Sequence, residues 1–298
     1  MKKLSLIIFF ITIPLLAEAK LNVVTTIPDL AALAKEVGQD LVTVESLARG
    51  DQDPHFLEPK PSYTVKMNRA DLLIEVGLQL EVGWLPVLLT QSRNPKIQPG
   101  STGYLDASQG IAILEIPTGK IDRSQGDVHP DGNPHYWLSP RNGLVIARRI
   151  AHKLSEIDPS HASEFEQNLK SFENRLMPKI GEWEKTALAF RGKRVVTQHK
   201  SFTYFFDWLG LQTAALIEPK PGIPPSPAYI LSLIGLISRE KIPCLITENY
   251  YDPRPSRELS ERTGAKVLIL PTSVGGEVGI DSYEKLFDHL VQKLKGVL

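Results

Sequence analysis

Three histidines stand in short motifs that lie far apart in this 298-residue chain. His55 ends the motif Asp53-Pro54-His55, His135 ends Asn133-Pro134-His135, and His199 follows the mainly apolar run 195–198. The neutral imidazole is the commonest metal ligand in proteins, and three imidazoles supply most of a tetrahedral zinc site. Separations of 80 and 64 residues exclude a zinc finger. The fold itself would therefore have to bring the three side chains together.

The surroundings of each histidine favour a fixed position for its side chain. Pro54 and Pro134 fix the backbone angle φ directly before His55 and His135. His199 ends a predicted parallel strand, and ligands of open α/β sheets bind outside the carboxyl ends of the strands. Each histidine alone could be either a ligand or a structural residue. The repeated proline–histidine motif, together with the strand end, favours one shared site.

Apolar runs with β propensity alternate with segments of helical period along most of the chain. Strands are predicted at residues 21–26, 41–47, 72–76 and 111–116, and again at 195–198, 213–217, 245–247 and 267–270. Helices are predicted at residues 29–37, 62–69, 202–209, 228–239, 256–262 and 282–294. Near-continuous apolar strands that alternate with helices indicate an α/β fold, with buried parallel sheets flanked by helices on both faces.

The middle of the chain, from residue 142 to about 190, shows only helical patterns. A helix at 143–157 is followed by a break at Asp158-Pro159 and by a long charged segment in which Pro178 could introduce a kink. Thirty helical residues would span roughly 45 Å. This length favours two α/β lobes joined by one long rigid helix over a helical insertion in a single domain. It also predicts small lobe movements rather than wide closure.

The predicted division of the chain begins with a signal peptide at 1–19. A first lobe at 20–158, a linking helix at 159–190 and a second lobe at 191–298 follow. Lys2 and Lys3 precede an apolar run too short for a membrane span, and Ala17-Glu18-Ala19 is an A-x-A cleavage site. The only cysteine is Cys244, so we expect a periplasmic protein without a lipid anchor and with one small buried thiol.

The charge balance argues against two classes of partner. Lys plus Arg and Asp plus Glu both number 34. Such a chain lacks the basic excess that nucleic acids or anionic membranes would attract.

Taken together, the motifs resemble those of the zinc- and manganese-binding receptors of bacterial ABC importers, the ZnuA/TroA-like family. The resemblance covers essentially the whole chain after the signal peptide. It rests on Asp53-Pro54-His55 with Glu58-Pro59 and Pro61-Ser62, on Asn133-Pro134-His135-Tyr136-Trp137-Leu138-Ser139-Pro140, and on His199 before Phe202, Tyr204 and Phe205.

The resemblance implies two α/β lobes linked by a rigid helix, with a divalent metal held in the cleft by His55, His135 and His199. It also implies a partner, an inner-membrane permease powered by a cytoplasmic ATPase, and we expect a monomeric receptor. Manganese-preferring members typically have a carboxylate at the third ligand position. Because imidazole suits zinc better than manganese, His199 favours Zn²⁺ as the transported ligand.

The resemblance does not identify the fourth ligand, because the chain departs from the family pattern at the position where that ligand usually stands. Family members usually place an aspartate in the last strand–helix loop, where this chain has Thr272-Ser273-Val274-Gly275. Glu248 is the first candidate, since it ends a predicted strand in the same lobe as His199. Weaker candidates are Glu277, Asp281, the position of Thr272, and water.

The loop between Pro117 and Pro134 is a second departure. Many zinc receptors of the family carry a long insert there that is rich in histidine and acids. Here the loop is short and contains Asp122, Asp127, His129 and Asp131. A solvated loop residue is the favoured interpretation of His129, and help in capturing the metal is the alternative.

These observations leave three functions to compare. The leading one is a periplasmic zinc receptor, which makes and breaks no covalent bond. The second is a receptor of the same family for Mn²⁺ or another metal. The third is a three-histidine zinc hydrolase or hydratase, in which the metal would lower the pKa of a bound water to about 7. The sequence offers such an enzyme no general base or proton shuttle apart from Glu248 and His129, so we do not expect an enzyme.

Overall fold

The computed structural model describes residues 19–119, 129–220 and 223–298. Of the predicted signal peptide only Ala19 lies among them, and the loop residues Asp122 and Asp127 lie outside them. Within the described ranges, no helix has the length and apolar character needed to cross a membrane.

The first half of the chain forms a four-stranded parallel sheet in the order β2-β1-β3-β4. Its strands are β1 (Leu21–Thr25), β2 (Val42–Ser46), β3 (Leu72–Glu75) and β4 (Tyr104–Asp106). Its helices are α1 (Pro28–Gly38), α2 (Pro61–Arg69) and α3 (Leu85–Ser92). Each of these helices has a proline in its first turn, where the missing N–H would have no partner within the helix.

Two long helices, α4 (Pro140–Ile157) and α5 (Ala162–Ala187), follow the first sheet. A 3-10 turn at Pro159–His161 joins them, as the break at Asp158-Pro159 predicts. Pro178 lies inside α5 without ending it. The 26 residues of α5 span about 39 Å at 1.5 Å per residue.

The second half of the chain forms another four-stranded parallel sheet, in the order β6-β5-β7-β8. Its strands are β5 (Arg194–Thr197), β6 (Gln212–Leu216), β7 (Cys244–Glu248) and β8 (Lys266–Leu270). Its helices are α6 (Thr203–Leu209), α7 (Pro227–Glu240), α8 (Arg254–Thr263) and α9 (Tyr283–Lys295). Both sheets are wound alike, because the first strand of each lies between the second and the third. We call the parts of the chain around the two sheets the first lobe and the second lobe.

Helix α5 contributes to the core of both lobes. It packs against α1 and α4 and also against α9, within one continuous hydrophobic cluster that contains residues of both sheets. Its buried apolar residues recur every three or four positions: Phe165, Leu169, Phe172, Leu176, Ile180 and Trp183. The predicted α/β fold of two parallel sheets flanked by helices, with one long helix, is therefore confirmed. The domain limits at 20–158, 159–190 and 191–298 stay a prediction.

One predicted strand is wrong, and one strand was not predicted. Residues 111–116 form no strand, because Leu114 donates its N–H to the Tyr204 hydroxyl (2.9 Å) and its carbonyl accepts from the N–H of Asn133 (2.9 Å). The edge strand β4 pairs with β3 instead. With three residues, of which only Leu105 is buried, β4 is too short to show the alternation that identifies a strand.

A buried carboxyl group on α1 links the two lobes. Asp29 is fully buried, and its Oδ1 accepts a hydrogen bond from the N–H of Val274 in the second lobe (3.2 Å). Burial raises the pKa of Asp29 to about 7, and the hydrogen bond from Val274 opposes this rise only in part. In the unfolded chain the carboxyl has its ordinary pKa. Unfolding between about pH 4 and pH 7 therefore releases a proton, and stability falls as the pH rises through that window.

Replacing Asp29 with asparagine keeps a hydrogen-bond acceptor but removes the buried charge. We expect Asp29→Asn to raise the free energy of unfolding at pH 8 by up to about 4 kcal/mol, and to change it little at pH 4. Urea unfolding of the metal-free protein at both pH values measures this difference. Asp40→Asn, the same change on a fully exposed side chain, serves as the control. A lower stability of Asp29→Asn at pH 8 would contradict the assignment.

Candidate metal centre

Folding brings His55, His135 and His199 together, and we call them the histidine triad. One ring nitrogen of each lies within 4.8 Å of the others. The ring centre of His55 is 5.0 Å from that of His135 and 5.6 Å from that of His199, and the last two are 5.7 Å apart. All three are buried. Among the described residues, no other group of three or more His, Cys, Asp or Glu side chains is close enough to hold a metal ion.

His55 is oriented by a residue two positions before it. Oδ1 of Asp53 accepts a hydrogen bond from the backbone N–H of His55 (3.0 Å) and lies 2.7 Å from its Nδ1. An ionised carboxylate only accepts, so the proton of the neutral ring sits on Nδ1 and the Nε2 lone pair is free for a metal. Burial alone would raise the pKa of Asp53, but its hydrogen bonds with the ring and the backbone N–H of His55 act in the opposite direction, and the pKa is lowered.

The motif around His135 uses the same device. Oδ1 of Asn133 accepts a hydrogen bond from the N–H of His135 (2.9 Å), while its Nδ2 donates to the carbonyl of Lys200 in the second lobe (3.0 Å). The residue before this motif, Gly132, has φ of +105°. A Cβ there would lie 2.3 Å from a methyl carbon of Ile113. In both Asx-Pro-His motifs, a side-chain oxygen therefore fixes the histidine backbone across the proline.

Residues 133–139 are held against the second lobe by three buried donors. The Tyr204 hydroxyl donates to the carbonyl of Asn133 (2.9 Å), and the Trp137 indole donates to the carbonyl of Thr272 (2.8 Å). The Tyr283 hydroxyl donates to the carbonyl of Trp137 (2.5 Å). These partners are 71 to 146 residues apart in sequence, and no local pattern identifies them. They fix the position of His135 relative to the second lobe.

His199 lies two residues after the end of β5, in extended backbone conformation. Its carbonyl accepts from the Thr197 hydroxyl (2.9 Å). In the neighbouring strands, Thr197 of β5 pairs with Ile246 of β7. Continuing this parallel register by two residues places Glu248 level with His199, at the same edge of the sheet. The structure therefore brings the first candidate for a fourth ligand to the strand end beside the triad.

Burial determines the protonation state of two triad members. It lowers the pKa of His135 well below its ordinary value, and the nearby charges of His55 and His199 lower it further. Burial, together with the charge of His55, lowers the pKa of His199 to about 3, although Asp53 opposes this. Both rings are therefore neutral at physiological pH. Within the described residues, neither ring nitrogen of His135 has a hydrogen-bond partner, and nor does Nδ1 of His199. Such buried atoms are unfavourable unless a ligand satisfies them.

Glu248 is fully buried, and neither of its carboxyl oxygens has a hydrogen-bond partner in the described part of the chain. Burial raises the pKa of Glu248 to about 7. The neighbouring Ser201 side chain lowers this pKa in part, and the charges of Asp53 and Glu218 raise it further. Its carboxyl group is outside the set of atoms that lie within 4.8 Å of one another. The structure thus places Glu248 near the triad but not among its ligand atoms.

The weaker candidates for a fourth ligand lie elsewhere. The Glu277 carboxylate is 3.3 Å from Nε2 of His289, and Asp281 is 2.7 Å from Nζ of Lys285 on α9. The structure does not bring either acid to the triad, since both pair with basic residues of α9. Thr272 is buried, and its carbonyl accepts the Trp137 indole hydrogen.

His129 lies next to the triad. Its Nε2 is 3.1 Å from Nε2 of His55, and its ring is half-buried. Together with His135 and His199 it lines a pocket of about 570 Å³. His129 is a half-exposed loop residue, and its ring also packs against a member of the triad. Its help in capturing the metal stays a prediction. Its loop neighbour Asp131 instead accepts a hydrogen bond from the Gln79 amide (3.0 Å).

Residues 23–297 match the family model of ZnuA, described as the periplasmic component A of the zinc-uptake complex. The chain belongs to this family. The predicted membership among the ZnuA/TroA-like metal-binding receptors of ABC transporters is thus confirmed.

Individual relatives of the ZnuA-family chain differ in the metal that they are named or solved with. The manganese ABC transporter substrate-binding lipoprotein PsaA of Streptococcus pneumoniae is 29% identical over 285 residues, which cover 92% of this chain and 88% of the relative. A solved zinc-bound deletion mutant of ZnuA is 25% identical, with a TM-score of 0.78, covering 94% of this chain and 98% of that one. A manganese-bound periplasmic protein from Candidatus Liberibacter asiaticus is 21% identical, with a TM-score of 0.76 over 93% and 99% of the two chains. This last similarity supports the fold alone.

The comparisons bear on the predicted membrane anchor. The streptococcal relative is named a lipoprotein, so the expectation of a chain without a lipid anchor is not confirmed.

Cys244 is buried in β7, and burial raises its pKa to about 12. This confirms the prediction of a small buried thiol.

Replacing Asp53 tests whether this residue orients the His55 ring for metal binding. We expect Asp53→Asn to weaken Zn²⁺ binding about 10- to 100-fold, because the residue that orients a ligating imidazole supports metal affinity to that extent. Isothermal titration of the metal-free variant measures the change. Asp51→Asn is the matched control, since Asp51 is two residues away, exposed, and paired with Arg49. Equal affinities of the two variants would show that Asp53 does not support the centre.

Proposed function

We propose that this ZnuA-family chain is the zinc receptor of an ABC importer. It binds Zn²⁺ outside the cytoplasm and delivers the ion to a permease in the membrane, which a cytoplasmic ATPase drives. The observation that supports this most is the convergence of His55, His135 and His199, three buried imidazoles contributed by both lobes. The fold itself does not require three imidazoles to meet at one point. Binding of a borderline-soft divalent ion such as Zn²⁺ does require it.

The choice of zinc over manganese follows from the donor atoms. Manganese prefers carboxylate, carbonyl and water oxygens, and zinc prefers nitrogen and sulfur ligands. The group of ligand atoms contains three imidazoles and no carboxylate. The streptococcal relatives are named manganese ABC transporter substrate-binding lipoproteins, and these names favour Mn²⁺ instead. At 28–29% identity a change in the ligand set is compatible with shared family membership.

Each triad member has a separate role in this proposal. His55 binds through Nε2, because its Nδ1 faces the Asp53 carboxylate. His135 and His199 need lose no proton to bind, because burial already keeps both rings neutral. Their unpartnered nitrogens gain an electron-pair acceptor when the ion binds. Binding therefore replaces an unfavourable buried state with a satisfied one.

The chain acts as a receptor and catalyses no reaction in this proposal. The ion passes through unchanged, so the centre needs affinity and release and no general base. The protein works as a monomer, with a first lobe at 20–158, a linking helix at 159–190 and a second lobe at 191–298. Since α5 packs against helices of both lobes, the lobes move little relative to one another when the ion binds.

The proposal predicts a specific pattern of metal binding. Titration of the metal-free mature chain with Zn²⁺ should show one ion per chain. Replacing His135 and His199 together with alanine should weaken binding by a factor on the order of 100 or more, because two ligands are lost. With equal concentrations of Zn²⁺ and Mn²⁺, the bound metal measured by mass spectrometry should be zinc.

The control is His152→Ala, which removes an exposed imidazole on α4 and should leave binding unchanged. The absence of stoichiometric Zn²⁺ binding by the unmodified chain would refute the proposal. So would a double variant that binds as tightly as His152→Ala. Preferential retention of Mn²⁺ would refute the assignment of zinc and leave a metal receptor of the same family.

A further inference from the structure

We propose that His129 is the fourth protein ligand of the transported ion, so that the loaded centre holds the metal with four imidazoles. This inference rests on the proposed function, because it describes the same ion that the triad binds. It assigns a role to a residue outside the triad and fills the ligand position for which Glu248, Glu277, Asp281 and water were candidates.

The distance between two nitrogens carries the proposal. Nε2 of His129 lies 3.1 Å from Nε2 of His55, with the ring centres 5.1 Å apart. Two nitrogens that each lie about 2.0 Å from one tetrahedral zinc are about 3.3 Å from each other. The two atoms are thus already separated by nearly the length of one edge of a zinc tetrahedron.

The hydrogen bond from His55 to Asp53 decides which atom faces His129. With its proton on Nδ1, toward Asp53 (2.7 Å), neutral His55 presents the lone pair of Nε2 to its neighbour. In the metal-free protein, His129 then donates its Nε2–H to that lone pair. When the ion binds, His129 takes the tautomer with the proton on Nδ1, and both Nε2 lone pairs are directed at the metal. This change of tautomer in His129 leaves the net charge of both rings unchanged.

The location of His129 fits a ligand that completes the centre from the pocket side. It lines the pocket of about 570 Å³ together with His135 and His199, and it is half-buried where the triad is buried. Glu248 is not part of this pocket lining, and Glu277 and Asp281 pair with residues of α9. Like the Glu248 carboxyl, His129 is outside the set of atoms that lie within 4.8 Å of one another, so a shift of its side chain toward His135 and His199 has to accompany binding. Its contact with His55 and its place in the pocket lining put it on the side of the triad from which that shift completes the centre.

Four imidazoles determine the class of ion that the centre takes. Without a carboxylate ligand, the loaded centre keeps the whole charge of the divalent ion. Neutral nitrogen donors favour zinc, copper and nickel over manganese and magnesium, which need oxygen ligands. A centre closed by His129 is thus more selective against manganese than one closed by Glu248 or water.

The test compares His129→Ala and His129→Gln with the unmodified mature chain, using Zn²⁺ for affinity and Co²⁺ as a spectroscopic probe. We expect both variants to bind Zn²⁺ about 10- to 100-fold more weakly, because one of four ligands is lost. The visible absorption of bound Co²⁺ should change in intensity and wavelength as water replaces an imidazole. X-ray absorption of the zinc-loaded protein should fit four imidazoles in the unmodified chain and three in the variants. His152→Ala is the matched control, and Glu248→Gln tests the competing ligand.

The outcomes separate the failure of this inference from the failure of the proposed function. Unfolding of the metal-free variants at the same urea concentration as the unmodified chain shows that they fold. If the unmodified chain binds Zn²⁺ but both His129 variants match His152→Ala in affinity and Co²⁺ spectrum, His129 is not a ligand and the receptor function stands. If Glu248→Gln weakens binding and removes an oxygen ligand while the His129 variants do not, Glu248 closes the centre and the inference is overturned. If the unmodified chain binds no Zn²⁺, the receptor function itself fails.

Discussion

The attachment of residues 133–139 to the second lobe is the constraint on which the histidine triad depends. Trp137 donates to the carbonyl of Thr272, and the hydroxyls of Tyr204 and Tyr283 donate back to carbonyls of this segment. Breaking any of them would leave a buried polar atom without a partner, at a cost of roughly 1–3 kcal/mol. Since His135 lies within the segment, the same bonds keep its ring beside that of His199.

The triad itself is unfavourable to folding, and the rest of the molecule must offset it. Three imidazoles are buried, and several of their nitrogens lack partners within the described residues. The continuous apolar cluster along α5, which joins α1 and α4 to α9, supplies the opposing stability. A metal ion would satisfy the unpartnered atoms. Binding should therefore stabilise the folded chain in proportion to the affinity and concentration of the ion.

Elements with a strong local pattern were predicted well, and elements defined by a distant partner were not. The strand predicted at 72–76 is β3, at Leu72–Glu75, because its apolar run is buried on both faces. The run at 111–116 has similar composition but lies where Tyr204 and Asn133 take its backbone groups. The edge strand β4 shows the converse case: its sequence is unremarkable, and pairing with β3 makes it a strand.

For the candidate centre, the sequence by itself determined the type of donor atom and the local geometry of two donors. In Asp53-Pro54-His55 and Asn133-Pro134-His135, the hydrogen bond spans two residues and the proline fixes φ, so both turns follow from neighbouring residues alone. Only the tertiary structure decided that His129 meets His55, and that Glu277 and Asp281 pair with α9. Those outcomes depend on how loops from separate elements pack, and the interactions that fix such packing act between residues that are distant in the chain.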